Sequence, residues 1–133
     1  MRLSNMADYA VVVMGAAARH CGGTRTSATE LAAETGIALP TVQKLVSILS
    51  KGGLLRSVRG SGGGIQLSRP AAAISLADIV EAVEGPIALT GCVKEATCHC
   101  VIEPDCVVKP HMNVVNNAVR GALADISLVS LAR

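Results

Sequence analysis

The core of this chain has to be built almost without aromatic side chains. Half of its 133 residues are hydrophobic, yet Tyr9 is the one aromatic residue, and the sequence contains neither Trp nor Phe. Alanine, valine, leucine and isoleucine must therefore fill the interior, and these side chains suit helices that pack closely against one another. A chain of this length forms about one ordinary domain. We therefore expect a mostly helical protein with a single core.

Two short helices separated by a glycine turn follow a first, largely apolar helix. The first helix is predicted from Asp8 to about His20. Ser27 and Glu30 have the spacing of a capping box at the start of the second helix, and Gly36 is placed to end it. The third helix begins near Pro40. Its apolar positions recur at spacings of three and four: Val42, Leu45, Val46 and Leu49. The pattern is typical of a helix-turn-helix, although any pair of antiparallel helices shares it.

A basic, glycine-rich segment after the third helix favours a DNA-binding module over a simple helix pair. Two short β-like runs are predicted at Leu54–Val58 and Ile65–Ser68, joined by the segment GSGGG at residues 60–64 and flanked by arginines. Residues 37–77 contain no acid. Residues 1–70 carry a net charge of +5, and residues 71–133 carry −3. This distribution indicates a polyanion partner for one face of the protein.

Double-stranded DNA is the partner that a helix-turn-helix with a basic wing predicts best. The third helix would enter the major groove, where glutamine can pair with adenine, and lysine with guanine or phosphate. Arg59, at the tip of the wing, would reach the minor groove or its phosphates. The strand–GxxxxGK[ST]–helix context of a nucleotide phosphate site is absent from the sequence. The predicted DNA contacts are Arg2, Ser27, Thr41, Gln43, Lys44, Lys51, Arg56, Arg59, Gly60, Gly62 and Gly63.

A fourth helix and a long C-terminal helix flank a cysteine-rich loop. Residues 74–86 are amphipathic, with Ser75 as the cap and Gly85 and Pro86 at the end. After Pro110, apolar residues step by four and three along one side of a helix: Val115, Val119, Ala122, Ile126 and Val129. A module of this size has little further apolar surface of its own against which this stripe could pack. We therefore expect the stripe to contact a second subunit, with packing against its own chain as the alternative. A twofold dimer would present two recognition helices to a palindromic operator.

Four of the five cysteines lie close together, at Cys92, Cys98, Cys100 and Cys106. The spacing of Cys98 and Cys100 is awkward for a disulfide between them, and the CxxC knuckle of structural zinc sites is missing. An iron–sulfur cluster accepts thiolates from an open loop without such a knuckle. The spacing therefore favours a cluster and leaves zinc and a thiol switch as alternatives.

The apolar run at residues 9–18 is shorter than the roughly 20 residues that span a bilayer. It begins beside Asp8 and continues as a helix to Arg19, which argues against a secretory signal. We expect a cytoplasmic protein without a membrane segment, in which thiols stay reduced. The sequence contains no acid–base or nucleophile–base pattern, so we do not expect an enzyme. We do not expect an electron carrier either, because electron transfer gives no reason for the basic wing.

The order of the motifs resembles that of the IscR/NsrR-type family of winged-helix iron–sulfur regulators, over nearly the whole chain. The matching segments are MRLSNMADYAVVVM, the helix-turn-helix, VRGSGGGIQLSRP, ISLADIVEAVEGP and the cysteine loop. The pattern VEGPIAL followed by spaced cysteines is most similar to the branch that regulates the Suf iron–sulfur assembly operon. The resemblance implies a homodimeric bacterial transcription factor whose DNA binding depends on a labile 2Fe–2S or 4Fe–4S cluster. Suf or Isc assembly genes are its implied targets, with nitric oxide or redox sensing as the alternative.

The implied fold is mostly α with a small β-hairpin wing. A winged helix-turn-helix domain would occupy residues 1–86, a cluster-binding loop residues 87–109, and a long dimerisation helix residues 110–133. One departure from the family lies in the wing, where Ile65 replaces the aromatic residue that usually follows RGxxGG.

The resemblance also implies the ligands of the cluster. Cys92 and Cys98 match the first two ligand positions of the family. Cys106 precedes the C-terminal helix as the third ligand should, although the gap before it is seven residues rather than the family's five, and Cys100 is an alternative.

The fourth ligand is the position at which members of the family differ. Lys109 occupies the place of the IscR-type histidine, and His111 lies two residues further along, so His111 is kept as an alternative. The NsrR-like ligand is an aspartate near the N-terminus of the other subunit, and Asp8 occupies that place. The preferred set is therefore three cysteines with Asp8, although Asp8 could equally serve as a helix cap or in an ion pair.

Overall fold

The computed structural model describes residues 2–20, 25–60, 63–93, 101 and 105–132. Within these ranges the chain forms six α-helices and one two-stranded antiparallel sheet. The helices are α1 (Asn5–Arg19), α2 (Ala28–Thr35), α3 (Leu39–Lys51), α4 (Leu76–Glu84), α5 (Lys109–Ala124) and α6 (Leu128–Leu131). The strands are β1 (Leu55–Val58) and β2 (Gly64–Leu67), and a short 3-10 helix covers Ala71–Ala73. The predicted fold, mostly helical with a β-hairpin wing, is confirmed.

Local signals explain where the first helices begin and end. α1 starts at Asn5 rather than Asp8, because the Ser4 hydroxyl caps it by accepting a hydrogen bond from the Ala7 N–H (3.1 Å). The predicted capping box of α2 is present, since Ser27 and Glu30 each accept a hydrogen bond from the other's backbone N–H. Gly36 ends α2 in the left-handed conformation, with φ of 77°. α2 then packs against α3.

The core lies between α1, α3, α4 and the wing, and aliphatic side chains form it, as the composition predicts. α1 contributes mainly alanines, and Val13 and Met14 are its largest buried side chains. Tyr9 stays outside the core, 39% exposed. The predicted apolar face of α3 is the face it buries: Val42, Leu45, Val46 and Leu49. Burial of each leucine stabilises the fold by about 1.5–3 kcal/mol, so α3 is firmly attached to the domain. None of the described helices is long and apolar enough to cross a membrane.

The C-terminal helix is shorter than the sequence indicates. α5 ends at Ala124, and the chain turns through Asp125 before α6. The Leu128 N–H donates to the Ile74 carbonyl, and the Leu76 N–H donates to the Ile126 carbonyl, both at 2.8 Å. These bonds form a short antiparallel bridge, which replaces the intrahelical bonds of a continuous helix.

The turn after α5 brings Leu128 into the core and separates Val129 from the rest of the predicted apolar stripe. Leu128, which the stripe does not include, is fully buried. Ser127 caps α6 by accepting a hydrogen bond from the Ser130 N–H. Val115 remains exposed on α5, whereas Val129 lies on α6, 41% exposed. The turn is accompanied by the burial of Leu128 in the core.

Candidate DNA interface and cysteine loop

α3 presents a polar face opposite the face that it buries. Gln43, Lys44, Ser47 and Lys51 are exposed, and Thr41 is half-buried. Their spacing follows the helical period, so they share one side of the helix. Neither lysine takes part in an ion pair with a described residue. Ser47 was not among the predicted DNA contacts, but it lies on the same exposed face of α3. Its spacing of four residues from Gln43 in the sequence could have indicated this position.

The wing continues this basic surface. In the hairpin, Arg56 is paired with Gln66 across the strands. Arg56 and Arg59 are exposed, and Gly60 follows them with φ of 96°. Among the predicted DNA contacts in the wing, Gly62 lies outside the described residues, and Gly63 is half-buried beside the turn.

The backbone of the segment that connects α1 to α2 forms two hydrogen bonds with the wing. The Thr26 N–H donates to the Ile65 carbonyl (3.1 Å), and the Thr26 carbonyl accepts from the Ile65 N–H (2.6 Å). A Cβ at Gly64 would lie 2.5 Å from the Thr26 carbonyl oxygen, so this approach requires glycine. The same approach places the Arg25 Cβ 3.3 Å from that position, which makes Arg25 a further basic residue beside the wing. Arg25 was not among the predicted DNA contacts, because it lies before the acid-free stretch of the sequence.

Gly63→Ala should distort the turn of the wing. The added methyl group would meet the Val58 carbonyl oxygen and would lie 2.7 Å from the Gly60 carbonyl oxygen, so the backbone at the end of β1 and in the turn would have to move. We expect operator affinity to fall by about tenfold or more, as when a phosphate or groove contact of 1.4 kcal/mol or more is lost. Fluorescence anisotropy with a labelled operator measures this loss.

Gly121→Ala is the matched control for that variant. A Cβ at Gly121 meets nothing within 4 Å, and helix propensity favours alanine there by about 1 kcal/mol. Gly121→Ala should therefore bind as wild type and unfold at equal or higher denaturant concentration. Wild-type affinity in Gly63→Ala would show that the turn does not shape the interface.

Other charged residues of the first half make structural contacts. Arg69 pairs with Asp78 of α4 at 3.4 Å, which partly neutralises a charge that the sequence assigns to the wing. His20 and Arg19 contact the Glu34 carboxylate at 2.8 and 3.2 Å. The hydrogen bond from His20 is the main cause that lowers the pKa of Glu34; burial opposes it to a smaller extent, and the hydrogen bond from Arg19 lowers the pKa further. These contacts join the end of α1 to α2.

Two predicted DNA contacts have other surroundings in the structure. The Ser27 hydroxyl accepts the Glu30 N–H bond that caps α2. Arg2 lines a cleft of about 400 Å³ between the N-terminal segment, α4 and α5, together with Glu84 and the chain from Gly85 to Leu89. Both residues remain predictions as DNA contacts.

Two cysteines of the cysteine loop lie within the described residues. Cys92 and Cys106 are half-buried, and neither forms a disulfide. The Thr90 hydroxyl lies 3.1 Å from the Cys92 sulfur. Cys98 and Cys100 fall outside the described ranges. In the part of the chain that the structure describes, no group of three or more His, Cys, Asp or Glu residues could hold a metal ion.

The chain that leads to Cys92 is anchored by buried polar contacts. The Asn116 side chain on α5 is 1% exposed, and its amide donates to the Ile87 carbonyl while its oxygen accepts from the Leu89 N–H, both at 2.8 Å. Glu81 on α4 accepts from the Ile87 N–H at 3.0 Å. Ile87–Leu89 is therefore fixed to α4 and α5, just before the cysteine loop. Asn116 was not among the predicted site residues.

The two candidates for a fourth ligand outside the loop, Asp8 and His111, are both exposed. Asp8 lies in the first turn of α1, where a negative charge is favourable. Its neighbours include exposed apolar residues, Tyr9 at 39% and Val12 at 42%. His111 lies in the first turn of α5.

Comparisons with known proteins agree with the winged-helix architecture. The Rrf2 family model, described as an iron-dependent transcriptional regulator, matches residues 3–133. The structure of CymR (YrzC), described as the global cysteine regulator of B. subtilis, is 28% identical, with a TM-score of 0.80 over 99% of this chain and 96% of that one. IscR of T. potens is 27% identical, with a TM-score of 0.75 over 98% and 85%. The oxidized form of Staphylococcus aureus CymR is 30% identical, with a TM-score of 0.73 over 100% and 97%.

Proposed function

The chain belongs to the Rrf2 family of DNA-binding transcriptional regulators, and we propose that an iron–sulfur cluster held by its cysteine loop controls how tightly it binds its operator. The proposed targets are Suf or Isc assembly genes, as the resemblance to the IscR/NsrR-type family implies. The observation that carries the cluster assignment is the pair of half-buried thiols, Cys92 and Cys106, at the two ends of a loop that also contains Cys98.

The polar face of α3 and the wing are the proposed DNA-reading elements. Gln43 has the donor and acceptor needed to pair with adenine in the major groove, and Lys44 can reach guanine or a phosphate. Arg56 and Arg59 would contact the backbone or the minor groove from the wing. Because residues 37–77 contain no acid, this surface attracts a polyanion along its whole length.

The donor set suits iron–sulfur chemistry. Thiolates are the ordinary ligands of such clusters, and a 2Fe–2S or 4Fe–4S cluster would supply a redox-sensitive and labile connection between the loop's cysteines. Cys92, Cys98 and Cys106 are the proposed thiolate ligands, with Cys100 as an alternative. The Thr90 hydroxyl can donate a hydrogen bond to the Cys92 sulfur. Burial of Val93, 4% exposed, holds the start of the loop against the domain.

A homodimer is the proposed assembly, with Asp8 of a second subunit as the fourth ligand and His111 as the alternative. Large apolar side chains remain exposed on α1 and α5 of the single chain. They are Tyr9, Val12, Val114 and Val115. Covering such a surface with an identical subunit would bring the exposed Asp8 face of α1 into an interface and place two recognition helices on one palindromic operator.

Gln43→Ala tests the DNA-reading part of this proposal. With an operator selected by the protein from random duplexes, the loss of one bidentate base contact should cost about 1–3 kcal/mol, or about 5- to 150-fold in affinity. The loss should be specific for one adenine position. Anisotropy titrations are run with both metal-free and cluster-reconstituted protein, and the proposed function requires the two forms of the wild type to differ in affinity.

The exposed Asn117 on α5 supplies the control, Asn117→Ala, which should bind as wild type in both forms. Equal operator affinity of Gln43→Ala and wild type would remove α3 as the reading helix. Equal affinity of metal-free and reconstituted wild type would remove the cluster as the controlling group.

A thiol switch on the same DNA-binding module is the second candidate. Two of the compared structures are CymR, one described as a global cysteine regulator and one as an oxidized form. In this alternative the same loop would change through oxidation of its cysteines without iron. Iron and sulfide analysis separates the two candidates.

A further inference from the structure

α4 contacts both the segment that leads into the cysteine loop and the elements proposed to read DNA. Its Glu81 is bonded to Ile87, and the next residue, Ala82, packs against Gly52 at the end of α3. We propose that α4 couples the position of Ile87–Leu89 to the recognition helix and the wing, with Glu81 and Asn116 as positioning residues. This inference rests on the proposed function, in which the cysteine loop is the part that changes.

The contact between α4 and the end of α3 is close. A Cβ at Gly52 would lie 2.9 Å from the Ala82 methyl carbon, a separation that Cβ atoms essentially never show. Gly52 has φ of −78° and ψ of −1°, a conformation open to any residue, so lack of space explains the glycine. Because packed interiors transmit displacement rather than absorb it, a shift of α4 must move the end of α3.

The base of the wing is attached to the same helix. The Asp78 carboxylate lies 3.4 Å from the Arg69 guanidinium and also accepts from the Ser75 N–H at 2.9 Å. Beside Arg69, the Ser68 N–H donates to the Leu54 carbonyl at 3.1 Å and closes the base of the hairpin. α4, nine residues long, therefore contacts both DNA-reading elements as one rigid unit.

On the loop side, polar contacts hold Ile87–Leu89 in place. The segment lines the cleft of about 400 Å³, so its outer side lacks close packing, and Leu89 is 38% exposed. Its inner side is bonded to Glu81 and to the fully enclosed Asn116. Glu81 is itself held by Arg120 of α5 at 2.7 Å. Removing Asn116 leaves backbone groups of the segment without partners, which loosens the approach to Cys92.

Amide hydrogen exchange in the metal-free protein tests this coupling without any bound cluster. Asn116→Leu removes both hydrogen bonds and keeps the branched shape and the number of side-chain heavy atoms, and Asn117→Leu, at an exposed position of the same helix, is the matched control. In Asn116→Leu we expect the Leu89 amide to exchange about tenfold faster, the effect of losing one buried hydrogen bond. The Gly52 and Gly53 amides should follow with a smaller increase, while the Leu31 amide of α2 stays as in wild type.

Faster exchange at Leu89 with unchanged exchange at Gly52 and Gly53 would overturn the coupling role of α4. If Asn116→Leu does not fold, Glu81→Ala replaces it, because that change breaks the bond from α4 to Ile87 and keeps Asn116. The Ile87 amide then replaces the Leu89 amide as the reporter of the loosened segment, and the Gly52 and Gly53 amides again decide the outcome.

A second measurement distinguishes failure of this inference from failure of the proposed function. It is the ratio of operator Kd values for the metal-free and reconstituted forms. In wild type the two Kd values differ by some factor. In Asn116→Leu this factor should be smaller by about fivefold or more, which corresponds to the lower range of ordinary coupling between sites. A wild-type ratio of one contradicts the proposed function. A full wild-type ratio retained in Asn116→Leu, with Leu89 loosened, contradicts the inference.

Discussion

Cys92→Ser should abolish the visible absorption of the anaerobically purified protein and reduce its bound iron to background. A serine oxygen is a far poorer ligand for a sulfide-bridged iron than a thiolate, and Cys92 is the proposed ligand that the anchored segment Ile87–Leu89 positions. Absorption spectra with iron and acid-labile sulfide per monomer measure the loss. Cys106→Ser should give the same result.

Cys100→Ser is the control for those variants, since Cys100 is the cysteine of the loop that the family resemblance leaves without a ligand position. It should keep the spectrum and the iron content of wild type. Full iron and an unchanged spectrum in Cys92→Ser would contradict the ligand set. Loss of the spectrum in Cys100→Ser alone, with Cys106→Ser unaffected, would exchange the roles of those two cysteines.

Leu128→Ala should destabilise the protein by about 2–5 kcal/mol, the range for a leucine deleted from a packed core. Leu128 is fully buried, and it belongs to the core cluster that includes residues of α1 and α3. The cavity would open where the C-terminal turn is bonded to Ile74. Urea unfolding followed by circular dichroism, at a fixed protein concentration, measures the change in the free energy of unfolding.

Val129→Ala, one residue further on, is its control. Val129 is 41% exposed in the single chain, so its truncation should cost less than about 1 kcal/mol in the folding of that chain. Similar losses for the two variants would contradict the placement of Leu128 in the core. A large loss for Val129→Ala that disappears on dilution would assign Val129 to a subunit interface.

The parts of the fold that depend on neighbouring residues could be predicted from the sequence. The capping box of Ser27 and Glu30, the end of α2 at Gly36 and the apolar face of α3 are all local patterns, and the structure contains each of them. β1 begins one residue later than predicted and ends at Val58 as predicted, and β2 begins and ends one residue earlier than predicted. Local hydrogen bonds and the period of apolar residues decide these features, and both can be read from a short window.

The parts that the sequence does not predict depend on contacts between distant residues. The end of α5 depends on backbone bonds to Ile74 and Leu76, far away in the chain, and the continuous apolar stripe conceals it. Asn116 is a polar residue inside an amphipathic helix, and only its bonds to Ile87 and Leu89 explain its burial. Periodicity cannot anticipate either feature, because both require the fold to be known.

In the candidate site, too, the features that depend on local sequence could be predicted and those that depend on distant contacts could not. The residues proposed to read DNA follow from helical spacing and charge, and Ser47 and Arg25 extend that set once the surface is known. The proposed cluster ligands follow from family resemblance, and Cys98 lies outside the described residues. The contacts that hold Cys92 in position emerge only from the structure.

Anaerobic purification of the wild-type protein tests the central claim most directly. Iron, acid-labile sulfide and zinc are measured per monomer together with the visible spectrum. Control by an iron–sulfur cluster predicts a brown protein with comparable amounts of iron and sulfide and little zinc. A colourless protein that holds zinc, or one that takes up neither iron nor sulfide after careful reconstitution, would contradict it and leave a DNA-binding switch run by zinc or thiols.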